Sequence, residues 1–465
     1  MRTNTVPEAS ALARITPASR DRYVDFLRLV SICVVMLGHL LMAVVIWRGN
    51  TFRVANVIEM TPGLWLATWA FQVMPIFFFV GGFANAVTID SFERSGRGAP
   101  EFVASRVDRL LRPVAVLLGV WVAVTLMLEV AGVDRRVLGD ATRLVCQPLW
   151  FIGVYLGVTS LAPCMRRLHD RHPYGAILGL LACTAIVDTC RFGLHLESLG
   201  YLNVLFVWLF AQQAGFFYAD GSLARVRREH LAFAAIGALV TLGLLTMFGP
   251  YPRSMVGLPG DRVSNMSPPT LCLAVLTVFQ VAAVMWFRPH AQRLLARPGA
   301  WTAVIAGNGV IMTLFLWHLT AAIVALAVLH WLGAPQPAPA SALWWLSRPV
   351  WIACALAPLV VLVALLGRFE RPRPAHHRAR GDLSPAAVGV GVALLCVAVL
   401  GIASTDIPNL VADIPIRLAV VTVAPAQLLL MTLGGFVLMR RAVSSELALV
   451  DGEEVSGVVA EKPLA

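Results

Sequence analysis

Apolar runs recur along almost the whole chain, and most are as long as a bilayer is thick. They fall at residues 24–47, 64–89, 110–132, 148–165, 174–190, 201–218, 231–249, 269–287, 303–331, 349–367, 385–404 and 416–439. A helix needs about 20 apolar residues to cross the hydrocarbon core. A backbone in lipid must also satisfy its own hydrogen bonds, which a helix does. The twelve runs therefore predict an all-α fold, a polytopic transmembrane helix bundle. Only 14% of the residues are charged, against about 25% in soluble domains, and the mean hydropathy is +0.76. These values exclude an ordinary soluble domain.

The net charge of +11 comes almost wholly from arginine, because Lys462 is the sole lysine. The arginines lie in short clusters between apolar runs, which argues for basic loops on one side of a membrane and against nucleic acid as a partner. With the amino terminus inside, the inside segments hold 26 basic residues and the outside loops 10. That bias predicts a multi-pass protein of the cell membrane with both termini cytoplasmic. The eight cysteines include no CxxC pair and fall mostly in apolar runs, as small packing residues. No metal site is expected: His376 and His377 adjoin each other without further ligands.

The first apolar run carries the sharpest chemical signal. Asp21, Arg22, Asp25 and Arg28 open it, and His39 sits inside it. An ionisable group within a membrane helix is costly, so it marks a functional site by default. Arg28 and His39 are eleven residues apart, which places them on one helical face about 16 Å apart along the axis. That pairing suits an anion gripped at one end and proton chemistry at the other. A histidine satisfied by a backbone carbonyl is the plainer alternative.

Further stretches follow in order. Pro75–Phe83 holds adjacent Gly81 and Gly82, which let a backbone or a ligand approach closely. Arg106, Arg109 and Arg112 recur at helical spacing where a loop meets the third run, suiting either a polyanion or lipid headgroups. Trp150 opens the fourth run, where interfacial aromatics are common. His318 lies fifteen residues into the ninth run, and His39 fifteen residues after Val24. Both runs point the same way, so the two histidines fall at one depth, roughly 22 Å in. Asn308 is a further polar candidate on the helix of His318. Glu129 and Asp188 fall near the ends of their runs, at the interface, and take no role.

Taken together these stretches resemble the acyltransferase 3 family of integral membrane O-acyltransferases. Arg28 and His39 look like its first-helix signature. Phe77–Phe83 is similar to its second-helix stretch, with Gly81 where serine is common. Arg106–Pro113 resembles its arginine-rich third helix, Pro148–Phe151 its Leu-Trp-Phe stretch, and Trp317-His318 its late histidine. Phe315 and Leu316 stand where that family often has tyrosine. The resemblance covers about residues 20 to 370 and implies a ten-helix core, with two further C-terminal spans as an addition.

The resemblance implies transfer of an acyl group, often acetyl, from cytoplasmic acyl-CoA to a hydroxyl of a cell-envelope glycan or glycolipid. The expected partners are then acyl-CoA, that acceptor and membrane lipids. Acyl-CoA serves as co-substrate, with no permanently bound cofactor. In that scheme Arg28, Arg109 and Arg112 hold the acyl-CoA. His39 acts as general base or acyl carrier, and His318 orients the acceptor or polarises the carbonyl. A twelve-span proton-coupled transporter is the alternative from another class, and a silent scaffold is a third. The expected organisation is a disordered cytoplasmic tail (1–20), the acyltransferase domain (21–370), a basic cytoplasmic loop (371–384), a membrane hairpin (385–440) and a cytoplasmic tail (441–465).

Overall fold

The structure, a computed structural model, describes residues 9–17, 20–48, 51–258, 262–370, 384–419 and 421–444. In chain order the elements are α1 (Ala9–Arg14), α2 (Arg22–Met42), β1 (Ala43–Arg48), β2 (Thr51–Asn56), α3 (Val57–Met60), α4 (Ala67–Phe71), α5 (Met74–Arg94) and α6 (Ala99–Val130). Then follow α7 (Arg135–Cys146), α8 (Leu149–Arg171), α9 (Pro173–Gly193), α10 (Asn203–Ala219), α11 (Arg228–Phe248), α12 (Leu271–Leu295), α13 (Pro298–Asn308) and α14 (Ile311–Trp331). The chain continues with α15 (Ala342–Leu366), α16 (Pro385–Ala403), α17 (Ile407–Val411), β3 (Ile416–Leu418), β4 (Val421–Val423) and α18 (Pro425–Ser444). Among the described residues, eleven helical stretches are long and apolar enough to cross a membrane, and α18 adds a shorter apolar helix over Pro425–Met439. The protein is an all-α, multi-pass membrane bundle.

Lipid offers no hydrophobic drive for helix association, so close packing and buried polar links hold such bundles together. Both are present. A side chain at Gly82 would collide with the carbonyl of Gln212, and one at Gly215 with the carbonyl of Phe79. Small residues on both sides thus let α5 and α10 touch backbone to backbone. Asp188, near the end of α9, is only 2% exposed. It accepts hydrogen bonds from the Asn203 amide at 2.8 Å and the Leu271 backbone N–H at 2.7 Å, tying α9 to α10 and α12.

Several element boundaries depart from the sequence expectation for local reasons. The first run ends as helix at Met42, because Val44, Val45 and Ile46 are β-branched and suit a strand better. β1 pairs antiparallel with β2, from Ala43 opposite Asn56 to Arg48 opposite Thr51. The third helix starts earlier, at Ala99, with Pro100 in its first turn and the Gly98 N–H bonded to Glu101. The ninth run is broken: α13 ends at Asn308 and α14 starts at Ile311, so Asn308 is not on the helix of His318. Gly307 and Gly309 weaken the helix there. The tenth helix begins at Ala342, capped by the Ser341 hydroxyl, which places Arg348 inside it. The twelfth run opens as the β3–β4 hairpin before α18.

The tail expected to be disordered carries α1, which packs against α13, and the Trp301 indole N–H donates to the Thr16 hydroxyl at 3.2 Å. Residues 371–383, with His376 and His377, lie outside the described residues, as does the tail from residue 445. The C-terminal hairpin docks on α8, where Gly153 and Gly157 leave room for Leu400 and Cys396. An ion pair between Arg143 and Asp406 at 3.1 Å fixes it to α7.

Candidate active site

α2 and α14 cross so that His39 and His318 meet. His39 Nδ1 lies 2.8 Å from His318 Nε2, and the two rings are 5.1 Å apart with planes inclined by 13°. His318 is 1% exposed, while His39 is partly open. His318 Nδ1 lies 2.6 Å from the Phe315 carbonyl. These contacts assign the protons. A carbonyl only accepts, so His318 must carry its proton on Nδ1. Its Nε2 is then a lone pair and accepts from His39 Nδ1–H. The lone pair of neutral His39 is left on Nε2, which no protein group among the described residues takes up. The pair is thus a relay from a fixed carbonyl to one free basic nitrogen. Neighbouring bonds hold both helices in place. The Trp351 indole N–H donates to the Leu40 carbonyl at 2.9 Å, and the Trp121 indole N–H to the Thr320 hydroxyl at 3.0 Å.

The other end of α2 is built around a buried carboxylate. Asp21 caps the helix, accepting from the N–H groups of Tyr23 and Val24, as capping carboxylates do. Asp25 is buried and binds Arg20 at 2.6 Å and Arg28 at 3.4 Å. Asn308 donates to the Asp25 backbone carbonyl and the Val304 carbonyl, both at 2.9 Å, and its Oδ1 is buried without a partner. The charges of Arg28 and Arg109 both act on Arg106. Arg106 donates to the Thr88 hydroxyl at 2.6 Å and keeps a buried Nε unpartnered. Arg109 is exposed, and Arg112 pairs with Asp108 one turn back. The fold thus gathers Arg28, Arg106 and Arg109, while Arg112 pairs with Asp108 on the same helix.

An aromatic wall joins this cluster to the histidines. Phe151 packs edge-on against Phe77 at 4.9 Å and Phe315 at 5.3 Å, and Phe315 lies 6.2 Å from the ring of His318. Trp150 flanks Phe151 at 6.2 Å and is partly buried. Tyr155 sits at 5.5 Å from Phe77. Its ring and hydroxyl fill the space beside Gly81, where a Cβ would lie 3.0 Å from ring carbon and 3.1 Å from the hydroxyl. Gly81 and Gly82 are thus close-packing residues, one under a tyrosine and the other against a backbone.

Glu370 is a site residue that sequence reasoning missed. Its carboxylate accepts from the N–H groups of Met312 and Thr313, each at 2.9 Å, and from the Thr313 hydroxyl at 2.8 Å. It thereby caps the helix that carries His318, where an anion is favoured by the helix dipole. Its only sequence signal was a lone glutamate at the edge of a basic loop. Among the described residues, no three His, Cys, Asp or Glu side chains converge as metal ligands.

A family model described as an acyltransferase domain matches residues 21–369, more than half of the chain, including both histidines and the arginine cluster. Comparison with curated proteins and with solved structures finds no match. The helices that supply Arg28, His39, Arg106, Arg109 and His318 all lie within the matched residues, and the chain belongs to the acyltransferase 3 family of membrane acyltransferases.

Proposed function

We propose that the protein moves an acyl group, acetyl first among the candidates, from acyl-CoA to a hydroxyl of a cell-envelope glycan or glycolipid. The observation that carries this reading is the His39–His318 relay, which leaves one basic nitrogen free in the last turn of a membrane helix. Arg28, Arg106 and Arg109 suit the phosphates of the CoA moiety, because guanidinium groups bind phosphate in charge-assisted, forked pairs. Arg112 extends that basic surface. The reading places the arginine end in the cytoplasm of a cell-membrane protein, where acyl-CoA is found, with both termini on that side. The basic loops agree with that orientation.

The chemistry needs only His39 Nε2. As the acceptor oxygen bonds to the thioester carbonyl carbon, Nε2 takes the hydroxyl proton. The carbon–sulfur bond then breaks, and the sulfur leaves with that proton as free CoA. His318 shares the positive charge on His39 through the Nδ1–H bond while the proton is held. A carrier role for His39 would use the same nitrogen as nucleophile. Family membership favours transfer over transport. The test is release of free CoA by the purified protein from acetyl-CoA in the presence of envelope extract, read with a thiol reagent, with the acylated product identified by mass. Acceptor-dependent CoA release is the expected result. Counterflow of substrate without CoA release would overturn the reading.

A further inference from the structure

α15 has two unlike faces. Leu343, Leu346 and Val350 are 64%, 76% and 66% exposed and form its outer, lipid-side stripe. Trp344, Arg348, Trp351, Ala355 and Leu359 recur every three or four residues on the opposite side, and Trp344, Ala355 and Leu359 are buried. Arg348 therefore occupies a protein-facing position of a membrane helix, where a charge is costly without a purpose. A lipid-anchoring arginine would stand among the exposed leucines instead.

The surroundings hold the guanidinium without neutralising it. Its Nε donates to the Trp344 carbonyl at 3.2 Å, and its carbon lies 3.9 Å from the Trp344 ring and 5.8 Å from the Trp351 ring. No carboxylate among the described residues pairs with it. Trp351 is hydrogen-bonded to the carbonyl of Leu40, next to His39. Trp344 packs with Val44 of β1 and with Val57 just after β2, at the base of the hairpin that follows α2. Arg348 thus stands one helical turn, about 5 Å, beyond Trp351 toward the hairpin. That is the side of the histidines away from Arg28.

We propose that Arg348 receives an anionic group, a carboxylate or phosphate, of the acyl acceptor as its hydroxyl approaches His39 from the hairpin side. The inference rests on the transfer reaction proposed above and names the acceptor as an anionic glycan or glycolipid. An aromatic-flanked guanidinium with free N–H groups is built for a planar or tetrahedral oxyanion. The donor and the acceptor then enter from opposite ends of α2, each met by arginine.

The test uses the full chain in phosphatidylcholine nanodiscs and two probes, octyl β-glucuronide and octyl β-glucoside, which differ only in the sugar carboxylate. Wild type should bind the glucuronide about tenfold more tightly, the scale of one charged contact. Arg348→Lys should keep part of that preference. Arg348→Gln should abolish it while leaving glucoside and acetyl-CoA binding unchanged. Equal binding of the two probes by wild type, or a preference that survives in Arg348→Gln, would overturn the inference. A lipid role would appear as thermal stabilisation by phosphatidylglycerol that is lost in Arg348→Gln with no glucuronide preference, and that too overturns it. The transfer reading fails separately, if His39→Ala releases CoA at the wild-type rate while the glucuronide preference stands.

Discussion

His39 and His169 both sit on long membrane helices and both have hydrogen-bonded partners, yet only His39 has a nitrogen to spare. His169, 3% exposed, accepts from the Gln213 amide at Nδ1 over 2.8 Å and faces Asp220 at Nε2 over 3.0 Å. Phe216 and Phe217 close its ring edge-on at 5.7 and 4.8 Å. Every capacity is used, so the group is a clamp between α8 and α10. His39 has one partner, a partly open ring and a lone pair on Nε2. Hydrogen bonding capacity left over, rather than burial, separates the histidine proposed to do the chemistry from the structural one.

The comparison breaks most readily at His39. His39→Ala should cut the turnover rate by about 10²- to 10⁴-fold, the usual worth of a general base. CoA release and a melting curve on the same preparation check it, and full activity in a folded variant would end the assignment. His318→Ala should cost less, about 10- to 100-fold, the range seen when a residue that orients another is lost. It should lower kcat while leaving the KM for acetyl-CoA in place, which separates orientation of His39 from substrate binding.

At the arginine end, Arg28→Ala and Arg106→Ala should each raise the KM for acetyl-CoA by about tenfold, with kcat changed far less. An unchanged KM in both variants would remove the phosphate role.

His169→Ala should leave activity per folded molecule intact and lower stability by about 1–3 kcal/mol, because it strands buried hydrogen-bonding groups. The acid limb of a melting-temperature profile sharpens this point. Burial raises the pKa of Asp220, but hydrogen bonds from Ser222 and His169 outweigh it and hold the carboxyl below its ordinary value. A depressed carboxyl stabilises fully above its unfolded pKa, about 3.9, and loses that contribution as the pH falls through its folded value. Wild type should therefore lose more of its melting temperature than His169→Ala as the pH drops below about 4.

Much of this was legible in the residues. Long apolar runs give helices in lipid, because the backbone has no other way to satisfy itself there. Equal depth in two runs of equal direction put His39 level with His318, and the 2.8 Å contact agrees. Arg106, Arg109 and Arg112 were readable as one helical set, though not which of them would face Arg28. Boundaries were weaker, because hydropathy does not register turn chemistry. The apolar β-branched stretch at Val44–Ile46 reads as helix until a partner strand is present. Arg348 read as a loop residue because a charge ends an apolar run, whereas a hydroxyl cap at Ser341 starts the helix seven residues sooner.

The sequence by itself determined the membrane bundle, the arginine-rich segments, the two histidines and the family. Local composition and period suffice for these, since each is a property of one helix or of the order of helices. The tertiary structure decided which nitrogen of His39 is free, because that depends on a carbonyl of another helix acting through His318. It decided that Arg112 pairs with Asp108, that Glu370 caps the helix of His318, and that Arg348 faces inward beside Trp351. Each of these is set by a partner in space, and a hydrogen bond or an ion pair has no trace in a sequence until both of its ends are placed.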